Sequence, residues 1–410
     1  MAETQLLEPR PAHVPAELVF DFDLWNIPGA QEDVQLATYD FARRCPDIFW
    51  SPRNGGHWVA SRAADIETMQ RDHSRFSHHC FTIPKKPEDM PRELPSELDP
   101  PRHTPLRRPL TAALMPKIVY GLDAQVRSLS AALIDGFRDR GHCEFIAEFG
   151  EILPITVFLE FVKLPASDRH FLLPKVARVV RGSTPEIRHD ALLEVIDYIG
   201  RIVRERRADP GTDMLSAVVN AIDLDGERIN EPDAIAYAGT VLFGGLDTVT
   251  AMLSFVARFL ARNPEHRRQL TARIDGEGFM RHAVEELLRR HGIASTARLI
   301  THDMDYNGAP FRAGEMVLVL NMLHGLDERM FDRPLTVDFA RPAPIHHAIF
   351  GNGPHTCPGA VLARRELRIF LQEWLRRIPD FEVTPGSTTV TTTGLVSGII
   401  KLELSWPVGD

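Results

Sequence analysis

Residues 350–359 read FGNGPHTCPG and set a single cysteine, Cys357, in a loop of glycine and proline. Glycines permit positive φ and close backbone approach, so amide N–H groups can point at the sulfur. The strongly helical AVLARRELRIFLQEWL follows at once, and a helix N-terminus stabilises a thiolate. The loop therefore favours a thiolate held out as a ligand, against the alternative of a structural cysteine.

The chain has 410 residues of ordinary globular composition, 44% hydrophobic and 25% charged. No linker divides it, so we expect one domain over 1–410 with a flexible N-terminal tail at about 1–30. The proline-rich stretch 83–101 is expected to belong to a functional substrate-access loop at about 77–102. Single hydrophobic cores stop growing at about 250–300 residues, so a single domain of this length is expected to enclose a large bound group at its centre.

Charge and cysteine usage exclude several classes of protein. The net charge of -9 disfavours a general binder of nucleic acid or anionic membranes. The N-terminus lacks a signal peptide, and we find no apolar stretch of about 18 residues, so a soluble cytoplasmic protein is expected. Four distant cysteines without CxxC argue against a disulfide framework or a zinc ribbon; they are Cys45, Cys80, Cys143 and Cys357.

Helical periodicity dominates from about residue 104. One buried helix face is predicted by apolar residues at i, i+3, i+4, i+7 and i+8, namely Met280, Ala283, Val284, Leu287 and Leu288. A nearly apolar helix is predicted to begin at the N-cap Asn230 and to continue to the Asn–Pro stop at 263–264. A helix of this length and composition belongs at the centre of a large protein.

Strand-like runs are fewer than helical ones. They lie at 47–51, 297–301 and 315–321, and a C-terminal hairpin is predicted over 389–406 with Gly394 and Gly398 at turn or bulge positions. The sequence therefore predicts a mainly α protein with minor β content.

Glu286 and Arg289 stand at i, i+3 in EELLRR and share one helix face, flanking the apolar stripe. Taken alone, the pair is typical of a surface ion pair worth a few tenths of a kcal/mol. A second polar pair, Asp247 and Thr248 in GGLDT, interrupts the long apolar helix. Two glycines there cost about 1 kcal/mol each, and such conflict with propensity is typical of a functional site.

Four cationic residues suit a buried dianion. His103 and Arg107 stand at i, i+4, Arg298 opens a strand, and His355 precedes the cysteine by two residues. Arginine pairs bidentately with carboxylates, which makes it the natural partner of such a group. Each of the four, taken singly, is also compatible with an ordinary surface charge or a satisfied histidine.

In combination these features resemble the cytochrome P450 family over essentially the whole chain. The signature FxxGxxxCxG is met by Phe350, Gly353, Cys357 and Gly359. The family's ExxR and acid–alcohol pairs are matched as well. From about residue 240 the likeness narrows to the bacterial camphor hydroxylase branch, through GGLDTV, FLARNPEHRRQL, GLDER, LARRE, EWLRRIPDF and GLVSGI.

The resemblance implies a P450 fold with a long central helix over a buried b-type haem. Cys357 would be the axial thiolate of the iron. Asp247 and Thr248 would deliver protons during oxygen activation. The haem propionates would pair with His103, Arg107, Arg298 and His355. Gly244 and Gly245 would leave room for O₂, while Glu286 and Arg289 would lock the segment after GLDER.

The implied reaction inserts one oxygen atom from O₂ into a C–H bond. The camphor enzyme's pattern carries a tyrosine that bonds the substrate ketone. None of the five tyrosines lies in 77–103 here, and Pro91 or a close neighbour takes that place. We therefore expect another medium-sized apolar substrate, a terpenoid or norisoprenoid. The matched pocket positions are Thr82, Thr240, Phe243, Ala294, Leu395 and Val396.

The chain carries no nucleotide-binding GxGxxG after a strand and no iron–sulfur cysteine cluster. A separate [2Fe-2S] ferredoxin with its reductase is the donor that the resemblance implies, and a monomer is expected. A basic patch of Arg108, Lys117, Arg364 and Arg365 could receive an acidic ferredoxin, although a solvated face is an alternative.

Three other functions are alternatives to a monooxygenase. A haem-thiolate gas or redox sensor would not need the acid–alcohol pair, and peroxide-using haem enzymes usually lack it. A zinc enzyme built on His78, His79 and Cys80 would need distant ligands at suitable spacing.

Overall fold

The structure of the chain is a computed structural model, which describes residues 7–87, 90, 92–181 and 185–408. The protein is mainly helical. The helices are α1 (Ala30–Ala42), α2 (Ala63–Arg71), α3 (His103–Ala113), α4 (Pro116–Tyr120), α5 (Asp123–Asp135), α6 (Ile152–Phe161), α7 (Arg169–Arg181), α8 (Pro185–Ala208), α9 (Met214–Val219), α10 (Glu231–Leu246), α11 (Thr248–Arg262), α12 (Pro264–Ala272), α13 (Glu277–Arg290) and α14 (Ala360–Arg377).

Shorter elements connect these helices. A π-helical turn spans Ile146–Gly150, and 3-10 helices include Asn321–Leu326 and Gly353–His355. The strands are β1 (Ile48–Ser51), β2 (His57–Ala60), β3 (Phe76–Ser77), β4 (His142–Glu144), β5 (Thr296–Ile300), β6 (Met304–Tyr306), β7 (Ala309–Phe311), β8 (Met316–Val319), β9 (Glu382–Val383), β10 (Val390–Thr392), β11 (Gly398–Lys401) and β12 (Glu403–Ser405).

The chain divides into two compact units, each drawn from three segments. Unit 1 comprises 1–90, 254–357 and 382–403, and unit 2 comprises 91–253, 358–381 and 404–410. The backbone passes from one unit to the other five times, so neither unit is a continuous piece of sequence. A single domain over 1–410 stays a prediction.

Unit 1 is organised around a five-stranded sheet in the order β1-β2-β8-β5-β3. Strands β2 and β8 are parallel, with Trp58 opposite Val317, and the other neighbours are antiparallel. All residues of β1, β2 and β8 are buried, which explains their continuous apolar runs. Trp58 packs edge-on against Phe311 at 5.2 Å between ring centroids and forms part of the core of this unit.

Unit 2 is helical. Helix α14 packs against α5, and α8 packs against α7 and α10. Its core includes the fully buried Tyr237 on α10, whose hydroxyl donates a hydrogen bond to the carbonyl of Leu106 on α3. Because burial outweighs the nearby Arg107 charge, the pKa of Tyr237 is raised and the phenol stays protonated.

The strands predicted at 47–51, 297–301 and 315–321 are confirmed as β1, β5 and β8, and the predicted hairpin contains β10 and β11. Gly394 lies in the turn with φ +151, where Trp25 leaves no room for a side chain. Gly398 is instead the first residue of β11, opposite Thr392, so the prediction of a turn or bulge there is wrong. The irregular register lies between Val390 and Thr391.

The predicted buried face of α13 is confirmed, because its five apolar residues are at most 2% exposed. The long apolar helix begins as predicted: Asn230 caps it by accepting a hydrogen bond from the Asp233 N–H at 2.8 Å. It ends as predicted at Asn263–Pro264. It is not continuous, however, since the helical pattern is interrupted at Asp247 between α10 and α11.

The expectation that no apolar stretch reaches membrane-spanning length is wrong. The segment Glu231–Arg262 is long and apolar enough by length and composition, and 59% of its most apolar window is buried inside the protein. Burial of this kind is typical of a core helix, so the finding is weak evidence for a membrane span.

Burial also argues against a flexible tail as far as residue 30. Val14, Phe22, Leu24 and Ile27 are at most 5% exposed, and the Phe20 N–H donates to the Trp50 carbonyl at 2.9 Å. These contacts join residues 14–29 to the sheet of unit 1. Residues 1–6 lie outside the described residues.

Candidate active site

The cysteine loop, residues 350–357, is closed by its own backbone. The Cys357 N–H donates to the Phe350 carbonyl at 2.7 Å, and the Thr356 N–H donates to the Gly353 carbonyl at 3.2 Å. Gly351 and Gly353 have φ of +73 and +70, which L side chains rarely adopt. The sequence therefore uses glycine where the backbone must reverse around the cysteine.

Helix α2 supports this loop from within unit 1. A Cβ at Gly353 would lie 2.9 Å from the Gln70 carbonyl oxygen and 3.1 Å from the Arg71 Cα. The Asn352 side chain also donates to Gln70 Oε1 at 3.1 Å. Because the loop lies directly on backbone atoms of α2, any side chain at position 353 would push the two apart.

Cys357 differs from the other three cysteines in its exposure. Cys80 and Cys143 are buried and Cys45 is half-buried, whereas Cys357 is exposed. Burial raises the pKa of Cys45 to about 11 and raises that of Cys143 further, so both stay thiols. The structure thus singles out Cys357 as the accessible sulfur, three residues before α14 begins.

Two of the four predicted cations lie in unit 1. Arg298 on β5 is buried, and one guanidinium nitrogen donates to the Ala297 carbonyl at 2.7 Å and to Thr296 Oγ1 at 3.0 Å. His355 stacks on His78, with ring centroids 3.8 Å apart and an interplanar angle of 16°. Both side chains are therefore held in defined orientations.

The other two cations begin α3 in unit 2. His103 is the first residue of the helix and is buried, and Arg107 follows one turn later and is half-buried. Their i, i+4 spacing puts both on one helix face, as the sequence predicted.

The polar pair lies where α10 gives way to α11. Asp247 follows the last residue of α10, and Thr248 is the first residue of α11. The Thr248 hydroxyl donates to the Gly244 carbonyl at 3.1 Å, one turn back across the interruption. The predicted local opening of the helix is thus observed at the predicted residues.

The two glycines before this pair differ in their surroundings. No atom lies within 4 Å of a Cβ built at Gly244, whereas one built at Gly245 would lie 2.4 Å from the Phe158 ring. Gly245 therefore serves close packing against α6. Gly244 faces open space, and that the two glycines leave room for O₂ in a widened helix turn stays a prediction.

Glu286 and Arg289 form a doubly hydrogen-bonded pair with no exposed surface. Arg289 Nε and Nη2 each donate to a Glu286 carboxylate oxygen at 2.8 Å. The remaining guanidinium hydrogens bond the carbonyls of Gly325, Pro334 and Thr336. The alternative of a surface ion pair is wrong, because the pair holds the segment 325–341 against α13.

A sequence model described as "Cytochrome P450" matches residues 156–277 and 278–404. The chain is 34% identical over 407 residues to probable cytochrome P450 127A1 of Sinorhizobium fredii, covering 97% of each protein.

The chain belongs to the cytochrome P450 family.

Solved P450 structures agree in fold. The crystal structure of CYP101J2 superposes with a TM-score of 0.88 at 35% identity, covering 98% of this chain and 100% of that one. CYP101C1 also superposes with a TM-score of 0.88, at 34% identity, covering 97% and 100%. These neighbours confirm the P450 fold and the resemblance to the camphor-type branch.

As a P450, the protein is an oxidoreductase of the monooxygenase class, and haem b is the cofactor of the family. The residues present fit that group. An accessible thiol at a helix start is the donor that a haem-thiolate iron needs.

Predicted pocket residues of unit 1 lie near one another. Ala294 bridges to Val396 by backbone pairing, and the Ser295 N–H donates to the Leu395 carbonyl at 2.8 Å. The residue before Thr82, Phe81, accepts from the Ala297 N–H at 2.8 Å. Val396 is 36% exposed, so its side chain is available for a ligand.

The remaining pocket residues, Thr240 and Phe243, stand one turn apart on α10 in unit 2. Thr240 donates to the Ala236 carbonyl at 3.1 Å, and both side chains are half-buried. Pro91, which was predicted to replace the substrate-binding tyrosine, lies outside the described residues.

The zinc-enzyme alternative gains no support from the described part of the chain. His78 is stacked on His355, His79 is exposed, and Cys80 contacts Thr82. The group of potential metal ligands found there is a different one, formed by Glu67, His324 and His346. Sequence reasoning missed it because the three residues stand far apart in the chain.

Proposed function

We propose that the protein inserts one oxygen atom from O₂ into a C–H bond of a medium-sized apolar substrate, with Cys357 as the axial ligand of its haem. The observation that carries the proposal is the single exposed thiol in a glycine-closed loop before α14. When bound, the haem supplies the activation of oxygen, and the thiolate ligand favours O–O cleavage.

Four cationic side chains are proposed to hold the haem propionates. Arg298 is buried and oriented by its own strand, and His355 is oriented by stacking on His78. His103 and Arg107 share one face of α3. A buried dianion needs such partners, because an unpaired charge in a low-dielectric site costs several kcal/mol.

Asp247 and Thr248 are proposed to move protons during the reaction. A hydroxyl and a carboxylate at an interrupted helix turn are the groups that a proton relay needs. The hydrogen bond from Thr248 to the Gly244 carbonyl fixes the threonine rotamer, so its oxygen remains an acceptor for an incoming proton donor. No atom lies within 4 Å of a Cβ built at Gly244, so a small molecule has room beside that glycine.

The substrate is proposed to be a terpenoid or norisoprenoid other than camphor. The proposed lining is mostly apolar, as a pocket for such a molecule requires; it consists of Thr82, Thr240, Phe243, Ala294, Leu395 and Val396. None of the tyrosines stands in 77–103, so a substrate ketone would lack the donor that it has in the camphor enzyme's pattern.

A separate [2Fe-2S] ferredoxin with a reductase is proposed as the electron donor, acting on a cytoplasmic monomer. Arg108 and Lys117 are exposed and suited to an acidic partner. Arg365 contributes less than predicted, because it is paired with Asp123 and lies over the Tyr120 ring at 4.6 Å.

The function is tested by reconstituting the holoenzyme with a bacterial ferredoxin and reductase. A panel of terpenoids and norisoprenoids is first screened for spin-state shifts of the ferric protein. The proposal predicts that a shifting compound is hydroxylated with NADH consumption matched to product. A protein that binds these compounds and CO but yields no product with any ferredoxin would be a sensor instead.

A further inference from the structure

Three potential metal ligands from distant parts of the sequence meet in unit 1. Glu67 lies on α2, His324 lies in the 3-10 helix Asn321–Leu326, and His346 lies in the segment that leads into the cysteine loop. Glu67 Oε1 is 2.9 Å from His324 Nε2 and 2.8 Å from His346 Nε2. All three ligand atoms lie within 4.8 Å of one another.

The cluster is anchored on one side and open on the other. The His324 side chain has no exposed surface, the Glu67 side chain is 24% exposed, and that of His346 is 55% exposed. An ion can therefore enter from solvent past His346, while His324 fixes the position of the site. His346 is free to adjust its ring to the ion.

The donor set is selective. Two imidazole nitrogens and one carboxylate oxygen are the ligands that Zn²⁺ and similar divalent ions take, with water in the open position. Calcium and magnesium prefer oxygen ligands throughout. Two nearby oxygen-bearing side chains are already engaged elsewhere. Glu285 pairs with His347 at 3.0 Å, and the Gln70 side chain donates a hydrogen bond to Asn321 at 2.8 Å, so neither adds an oxygen ligand to the site.

One cation limits the affinity. Arg71 Nη2 lies 3.6 Å from Glu67 Oε2, the carboxylate oxygen that the histidines do not share. Arg71 leaves Glu67 Oε1 available as the ligand atom, but it places a positive charge beside the incoming ion. Removal of this charge should tighten binding.

We propose that Glu67, His324 and His346 form a binding site for Zn²⁺ or a chemically similar divalent transition-metal ion. The ion would join Glu67 to two histidines that stand 257 and 279 positions later in the chain. Helix α2 also carries Gln70, which contacts the cysteine loop at Gly353 and Asn352. The ion therefore stiffens the support of that loop without contacting Cys357.

The site is tested by titrating ZnCl₂ into tag-free ferric holoenzyme, from which loosely bound divalent ions have been removed with a chelator, in a calorimeter. The wild type should bind one ion at this site, and His346→Ala should weaken its affinity at least about tenfold. His346 is exposed, so this variant should fold. Arg71→Ala should bind more tightly, and His302→Ala, which removes another exposed histidine of unit 1, should bind as the wild type does.

A thermal melt gives an independent readout. Zinc should raise the Tm of the wild type and of His302→Ala but not that of His346→Ala, because only a folded site binds the ion. Absence of zinc binding by the wild type, or a zinc affinity of His346→Ala equal to that of the wild type, would overturn the proposal. Glu67, His324 and His346 would then be only a hydrogen-bonded group of side chains. The haem spectrum is a separate observation, so this result does not depend on the proposed monooxygenase function.

Discussion

Adjacent glycines at 244 and 245 show how much a single position depends on its neighbours. In the sequence the two are equivalent interruptions of an apolar helix. In the structure Gly244 faces open space, whereas Gly245 is in contact with Phe158, 87 positions away. No local pattern distinguishes them, because the difference lies in a tertiary contact.

Gly245→Ala should destabilise the protein by about 1–3 kcal/mol, because its Cβ would overlap the Phe158 ring and force the helices apart. Urea unfolding measures this change. Gly278→Ala on α13 is the matched control, since no atom lies within 4 Å of its Cβ, and it should be neutral or slightly stabilising. Equal midpoints for the two variants would contradict the packing account.

Thr248→Ala should leave the substrate-induced spin shift intact but divert electrons from product to hydrogen peroxide. The variant loses the hydroxyl proposed to pass protons, and the yield of product per NADH should fall about tenfold or more. Thr271→Ala is the control, because Thr271 makes the same i−4 hydrogen bond on α12, at 3.0 Å to Arg267. Unchanged coupling in Thr248→Ala would refute the proton-relay role.

At the scale of elements, the ExxR pattern occurs three times in the sequence, and two of its occurrences have opposite outcomes. Glu286 and Arg289 on α13 are fully buried, whereas Glu265 and Arg268 on α12 form a pair that is 65% and 70% exposed. The residue pattern is identical, so spacing alone could not reveal which pair is part of the core. The apolar stripe beside the first pair was the available signal.

Arg289→Leu should cost about 3–5 kcal/mol, because it leaves the Glu286 carboxylate buried and frees the carbonyls of 325, 334 and 336. Arg268→Leu should cost less than about 1 kcal/mol, as expected for an exposed pair. Urea unfolding of both variants measures the difference. Similar losses would contradict the structural role of the buried pair.

The cap, the stop and the local opening of the long central helix were all predictable from the sequence. Its ends depend on local chemistry, the Asn230 cap and the Asn263–Pro264 stop, and local chemistry is readable from sequence. The interruption at Asp247 was suggested by the polar pair. Short strands such as β3 and β6 were missed, because two or three residues carry no measurable period.

For the whole molecule, one buried carboxyl should shape the pH dependence of stability. Glu366 on α14 is buried, and burial raises its pKa to about 8. The folded protein therefore keeps the proton from about pH 4.5 to about pH 8 while the unfolded chain releases it. Its contribution to stability is present below pH 4.5 and declines by about 1.4 kcal/mol per pH unit up to about pH 8.

Glu366→Gln should remove this decline. Relative to the wild type, the variant should gain stability steadily between pH 5 and pH 8, as measured by urea midpoints across that range. A constant difference between variant and wild type over the range would show that Glu366 does not titrate in it.

Fold class and family were predictable because four separated motifs agreed on one answer. The cysteine loop, the polar pair and the buried ion pair all lie on the predicted elements. Placement of the Glu67, His324 and His346 cluster was not predictable, since α2 packs against the 3-10 helix that carries His324 and Glu67 also contacts His346 from a later loop. Local chemistry was readable from sequence, and long-range proximity was not.

The central claim is that Cys357 is the thiolate ligand of the haem iron, and the spectrum of the reduced protein with CO tests it most directly. The wild type and Cys45→Ala should show the red-shifted Soret band of a thiolate-bound iron. Cys357→His, which keeps a ligand and so a means to retain haem, should bind CO without that shift. A red-shifted band in Cys357→His, or none in the wild type, would contradict the account.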